Sequence, residues 1–172
     1  MNLFERLAAA KKHQPKHVRL LLVAEAPPCA GDRYFYFPDV QTQDALFRYV
    51  WQGLTGDKPE RDDKPRQLVA LRDAGVYLVD LHEDDIAKPK LKDLVPCVPS
   101  LVERVKALNP DHVVLIKALV YDAAFDALRD AGLPVIDERI PFPGSGQQKK
   151  FLEAFTRAAR EAGVSIDAAV AS

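Results

Sequence analysis

Residues 18–24 read VRLLLVA, and this apolar stretch decides the fold class of the chain. Its length suits a strand, and a strand without polar alternation is typical of a sheet covered on both faces, as parallel sheets are. Three further apolar stretches follow: VYLVDL at 76–81, HVVLI at 112–116 and LPVID at 133–137. Because segments with helical spacing separate these stretches, strands and helices alternate along the chain.

This alternation predicts an α/β fold in one domain over residues 1–172. We expect a three-layer sandwich with a mainly four-stranded parallel sheet and helices on both faces. Ligands bind to such sheets beyond the carboxyl ends of the strands. Three irregular segments follow predicted strands there, at 25–38, 80–92 and 141–150. They are the predicted location of the functional site.

Composition excludes several classes of protein. The chain has 24 Lys and Arg against 25 Asp and Glu, for a net charge of −1, which argues against a strongly basic protein that coats nucleic acid. A local basic face remains open. No apolar run reaches the roughly 18 residues of a membrane span, and the first residues do not resemble a secretory signal. We therefore expect a cytoplasmic monomer that does not bind membranes.

The chain has two cysteines, Cys29 and Cys97. We expect both to be reduced thiols. Two cysteines cannot supply a four-cysteine iron–sulfur cluster, and neither has the partner ligands of structural zinc. No metal and no cofactor is expected.

Four motifs in the chain resemble those of the uracil-DNA glycosylase superfamily. AEAPP at 24–28 is similar to the Gly-Glu-Ala-Pro-Gly motif of its iron–sulfur branch, and VYLVD at 76–80 to a strand that ends in Asn. HVVLIKALVYDA at 112–123 occupies the place of a VVxLG-type strand and helix, and FPGSG at 142–146 that of a His-Pro-Ser motif. The motifs occur in the family's order and span residues 18–157.

The resemblance implies a divergent DNA glycosylase that excises a damaged or deaminated base by hydrolysis of the N-glycosidic bond, in base excision repair. Glu25 would orient or deprotonate the attacking water. The base pocket would comprise Ala26, Pro27, Phe35 or Phe37, and Asp80, with the phenylalanine stacked on an extrahelical base. DNA phosphates would be held by Pro143, Gly144, Ser145, Gly146 and Lys149.

Each of these residues also has a structural interpretation. Glu25 could be a surface or loop-capping carboxylate, and the aromatic run YFYF at 34–37 could simply pack into the core. Asp80 stands where the family has Asn; an ionised carboxylate only accepts hydrogen bonds, so it suits an amino group on the base unless burial keeps it protonated. Alternatively, Asp80 caps a following N–H group, and Ser145 caps the last helix.

The chain departs from the family at two further catalytic positions. Ala26 stands where the best-known branch has a water-activating Asp, and Phe142 where that branch has His. Two other functions therefore remain open. One is a non-catalytic relative that binds nucleic acid or a nucleotide-like ligand. The other is a small-molecule or metal-dependent hydrolase that uses the acidic segment 80–85, which could hold Mg²⁺.

Overall fold

A parallel three-stranded sheet lies at the centre of the structure, a computed structural model that describes residues 2–31, 33–39 and 44–169. Its strands are β1 (Leu20–Ala24), β2 (Val76–Asp80) and β3 (His112–Leu115), in the order β2-β1-β3. Leu20 pairs with Val76 on one side and His112 on the other. The α/β class and the parallel pairing predicted from the apolar stretches are confirmed.

Helices connect and flank the strands. They are α1 (Leu3–Lys12), α2 (Ala45–Thr55), α3 (Lys64–Asp73), α4 (Leu91–Leu94), α5 (Val98–Leu108), α6 (Ala118–Asp130) and α7 (Gln148–Glu161), with short 3-10 turns at Arg61–Asp63 and Val95–Cys97. A capping box between Asn2 and Glu5 begins α1, and Asp44 caps α2. Among the described residues, no helix is long and apolar enough to cross a membrane.

The core forms around β1, all five residues of which are buried. Full burial explains why this strand lacks polar alternation. Strand β2 lies at one edge of the sheet, where its outer backbone groups need partners. The hydroxyl of Tyr36 is the partner of both backbone groups of Leu78, because it donates to the Leu78 carbonyl (2.8 Å) and accepts from the Leu78 N–H (2.6 Å).

The predicted fourth strand, residues 133–137, is not confirmed as a strand. Its place is marked by two isolated parallel bridges, from Val113 to Val135 and, beyond the predicted range, from Ile116 to Ile140. Local hydrogen bonds divert the N–H groups of Val135 and Glu138, which donate to carbonyls only two residues back, at 2.8 and 2.9 Å. Pro134 has no N–H to contribute. A continuous ladder therefore does not form.

Candidate functional site

A cavity of about 390 Å³ opens at the carboxyl ends of all three strands. Ala24 is the last residue of β1 and Glu25 follows it. Leu78 and Asp80 belong to β2, and Ile116 and Lys117 follow β3. The remaining walls come from the loop after β1, the start of α2, the loop after β2 and a residue before α7; they are Ala26, Pro27, Pro28, Cys29, Arg33, Tyr34, Phe35, Asp44, Ala45, Leu46, Ile86, Ala87, Lys88, Pro89 and Phe142. The predicted location of the site thus coincides with a cavity.

Most of the predicted base-pocket residues line this cavity. Ala26, Pro27, Phe35 and Asp80 all do so, and so does Glu25, the predicted catalytic residue. Phe37 does not: it is half-buried and packs edge-to-face on Tyr34, with the ring centroids 5.3 Å apart. Of the two phenylalanines that the sequence left open, the structure therefore places Phe35 at the cavity.

Two buried contacts hold the aromatic loop in position. The ammonium of Lys64, on α3, donates to the carbonyl of Tyr34 at 3.3 Å and pairs with Asp44 at 3.3 Å. Tyr36 is bound to β2 through its hydroxyl. Tyr34, Phe35 and Tyr36 are all nearly fully buried and Phe37 is half-buried, so the interpretation of this run as core is confirmed for three of its residues, although buried and exposed residues do not alternate. Phe35 combines both roles, since one part of it packs in the core and another faces the cavity.

The predicted phosphate-binding turn lies beside the cavity and does not line it. Phe142 reaches the cavity wall, while Pro143, Gly144, Ser145 and Gly146 do not. Lys149 is exposed on α7 and lies 4.0 Å from Glu153. Gln147 occupies the N-cap position of α7, which has no side-chain cap, so the interpretation of Ser145 as the cap of this helix is wrong. Ser145 instead has φ of 50° and Gly146 φ of 80°, and consecutive left-handed residues form a turn that ends before the helix.

Asp80 is a carboxyl group of the cavity whose pKa is strongly shifted. Burial raises its pKa to about 7, although Arg6 and Arg104 oppose the rise. Its carboxylate caps no N–H group of the described residues; the next two, of Leu81 and His82, donate to carbonyls of Ala24 and Glu25. The capping interpretation of Asp80 is therefore wrong. Near neutral pH this group can either donate or accept a hydrogen bond.

A second cavity of about 280 Å³ adjoins the first, between α1, β2 and α5. The two share Pro27, Tyr34, Leu78 and Asp80, so these residues form the wall between them. On the far side lies Arg6, whose guanidinium is almost fully buried. Asp80 therefore lies between the first cavity and the buried guanidinium of Arg6, which lines the second cavity.

Arginines engage the acidic segment after β2. Arg6 donates to the carbonyl of Glu83 at 3.0 Å and lies 3.7 Å from Asp85. Arg104 donates to the carbonyls of Asp80 (2.9 Å) and Leu81 (3.2 Å). Within residues 2–31, 33–39 and 44–169, no three His, Cys, Asp or Glu side chains lie close enough together to hold a metal ion.

Lys117 is the cavity residue that sequence reasoning missed. Its ammonium lies 2.6 Å from Oε1 of Glu25, whose side chain is 14% exposed. The other oxygen of this carboxylate, Oε2, is buried and has no hydrogen-bond partner among the described residues. Glu25 is thus neither a surface carboxylate nor a loop cap, and its charge is balanced by a lysine 92 residues further along the chain.

The backbone of Lys117 adopts a conformation that side chains rarely accept, with φ of 84° and ψ of 132°. It lies between β3 and α6, and its N–H donates to the carbonyl of Ile140 at 2.9 Å. Strained residues of this kind are concentrated at functional sites. In the sequence this position is marked only as the residue that follows the predicted strand at 112–116.

Cys29 is exposed and Cys97 half-buried, and both are free thiols, as predicted.

A comparison with models of known protein families finds no match to this chain, and a comparison with curated protein sequences finds none either.

Proposed function

We propose that this chain is a divergent DNA glycosylase-like protein, which holds a base flipped out of DNA in the 390 Å³ cavity and hydrolyses its N-glycosidic bond. One observation carries the proposal. Glu25, Phe35 and Asp80, to which the family resemblance assigns water handling, base stacking and base reading, all line the same cavity. Glu25 and Phe35 belong to the loop after β1, whereas Asp80 ends β2, so the parallel pairing of these two strands brings the three residues to one cavity.

The proposal extends to the fold. The three parallel strands and the bridges at Val135 and Ile140 are consistent with a three-layer sandwich in which residues 133–140 take the position of a fourth strand. We assign this arrangement to the uracil-DNA glycosylase superfamily. In that assignment the cavity lies where parallel sheets bind their ligands.

The chemistry needs few groups. The bond between sugar and base breaks when the negative charge that develops on the base is stabilised, and water then adds to the sugar. The carboxylate of Glu25 lines the cavity and accepts a hydrogen bond from that water, which orients it. The ammonium of Lys117 neutralises Glu25 and brings positive charge to the cavity, where the family's histidine is replaced by Phe142.

Asp80 sets the preference for the base. When ionised, it accepts hydrogen bonds and suits a base with an amino group at the edge it faces; when protonated, it also donates and tolerates a carbonyl oxygen. Because its pKa is raised to about 7, the preference changes with pH near neutrality. A base with an amino edge is favoured above that pH.

The test is a panel of oligonucleotides, single-stranded and duplex, each with one uracil, hypoxanthine, xanthine or alkylated base. We expect release of at least one of these bases by the native protein and none by Glu25→Gln. Glu103→Gln is the matched control, because Glu103 also pairs with a lysine, Lys106 at 3.0 Å, but lies on the surface outside the cavity. Base release by Glu25→Gln at the native rate contradicts the role of Glu25, and release of no base by the native protein contradicts the activity.

A second function, binding without catalysis, is favoured by a different observation. One oxygen of Glu25 is already engaged by Lys117 at 2.6 Å, and the family's Asp and His are absent. In this case the native protein shifts the same oligonucleotides in a gel and Phe35→Ala weakens the shift, while no base is released from any of them.

A further inference from the structure

We propose that Lys117 is an amine nucleophile that forms an imine with the aldehyde carbon of an abasic deoxyribose in the same cavity. This inference rests on the proposed function, because an abasic sugar is the product that excision of a base leaves behind. It adds an activity to the site: covalent capture of that product. The class of ligand is an aldehyde joined to a phosphodiester backbone.

The position of Lys117 fits this role. Its side chain is 36% exposed and lines the cavity, so a ligand can reach the amine. An adjacent general base can activate a nucleophile by accepting its proton. Oε1 of Glu25, at 2.6 Å, is within direct hydrogen-bond distance of Nζ.

The position is also fixed by the fold. Lys117 is set between β3 and α6 with φ of 84° and ψ of 132°, and its N–H is bonded to Ile140. A strained residue on a tight turn between strand and helix is a recurrent way to hold a nucleophile exposed above a sheet. The only other lysine among the cavity-lining residues that the structure describes is Lys88, which is exposed on the loop after β2.

Imine formation releases one water molecule and needs no oxidant or reductant. A proton passes from the ammonium of Lys117 to Oε1 of Glu25, which leaves a neutral amine. The nitrogen lone pair forms a bond to the aldehyde carbon, the C=O electron pair moves to oxygen, and a proton moves from nitrogen to that oxygen. Glu25 then returns its proton to the resulting hydroxyl, which departs as water and leaves a protonated imine. Addition of water reverses the sequence and frees the lysine.

The test is reductive trapping with a preformed abasic site. The native protein is incubated with an oligonucleotide that carries one abasic deoxyribose, and borohydride then transfers hydride to the imine to give a stable secondary amine. We expect a protein–DNA adduct in a denaturing gel, which peptide mapping by mass spectrometry assigns to Lys117. Because the abasic site is supplied, the result does not depend on base excision and can succeed or fail separately from the proposed function.

Two variants sharpen the result. Lys117→Arg keeps the positive charge but removes the amine, and should abolish the adduct. Lys106→Arg is the matched control, since Lys106 also pairs with a glutamate, Glu103 at 3.0 Å, but lies outside the cavity; it should leave the yield unchanged. The proposal is overturned by no adduct with the native protein, by an adduct that survives in Lys117→Arg, or by labelling spread over the surface lysines or located on Lys88.

Discussion

The substitution Asp80→Asn tests the electrostatics of the cavity directly. Burial raises the pKa of this carboxyl from its ordinary value of 3.8 to about 7, so the folded protein resists its ionisation. At about 1.4 kcal/mol for each pKa unit, the ionised group lowers the free energy of unfolding by at most about 4 kcal/mol. Asparagine has nearly the same shape and carries no charge, so it removes this cost.

The sign of the pH dependence follows from the two pKa values. Below the ordinary pKa the carboxyl is protonated in both states and costs nothing. As the pH rises through 3.8 toward about 7, the unfolded chain loses the proton first, and the native protein becomes progressively less stable. Asp80→Asn should therefore raise the free energy of unfolding by up to about 4 kcal/mol near pH 8, and change it little near pH 4.

Urea unfolding followed by circular dichroism at several pH values measures this difference. Asp84→Asn is the matched control, because Asp84 is exposed on the same loop, and surface substitutions change stability by about 0.5 kcal/mol or less. A difference between Asp80→Asn and the native protein that stays constant from pH 4 to pH 8 would refute the reasoning. So would destabilisation at pH 8, since it would mean that attraction from Arg6 and Arg104 outweighs burial.

Three further predictions concern the same region. Tyr36→Phe leaves the N–H and the carbonyl of Leu78 without their shared partner and should lower the free energy of unfolding by about 2–4 kcal/mol. The control is Tyr49→Phe, which should change the free energy of unfolding by less than about 0.5 kcal/mol, because the Tyr49 hydroxyl has no hydrogen bond among the described residues. Equal losses in the two variants would show that the contact at β2 contributes nothing. Lys117→Gly should be more stable than Lys117→Ala by about 1–3 kcal/mol, because only glycine accepts φ of 84° and ψ of 132° without strain. At most positions the alanine variant is the more stable one. If thermal or urea unfolding shows that order here too, Lys117 does not have this strained backbone conformation. Above about pH 7, Asp80→Asn should release uracil from DNA about 5- to 150-fold faster than the native protein, because an amide donates to the carbonyl oxygen that an ionised carboxylate repels. Vigorous uracil release by the native protein at the same pH would show that Asp80 does not read the base.

The sequence by itself determined the α/β class and the position of the cavity. Apolar stretches at 18–24, 76–81 and 112–116 are local patterns, and a strand buried on both faces must be apolar wherever its neighbours lie. Once those strands are parallel, their carboxyl ends meet at one edge of the sheet. That is sufficient to predict that Glu25 and Asp80 lie near one another.

The tertiary structure decided what surrounds those two carboxyl groups. Lys117 reaches Glu25 across 92 residues of sequence, and no local pattern encodes that contact. Packing against Tyr34 turns Phe37 away from the cavity and leaves Phe35 there, although both belong to the same aromatic run. Local hydrogen bonds at Val135 and Glu138 interrupt the predicted fourth strand. The pKa of Asp80 likewise depends on its burial and on its distances to Arg6 and Arg104. Both are established only when the chain has folded, because desolvation and Coulomb attraction act through space and not along the sequence.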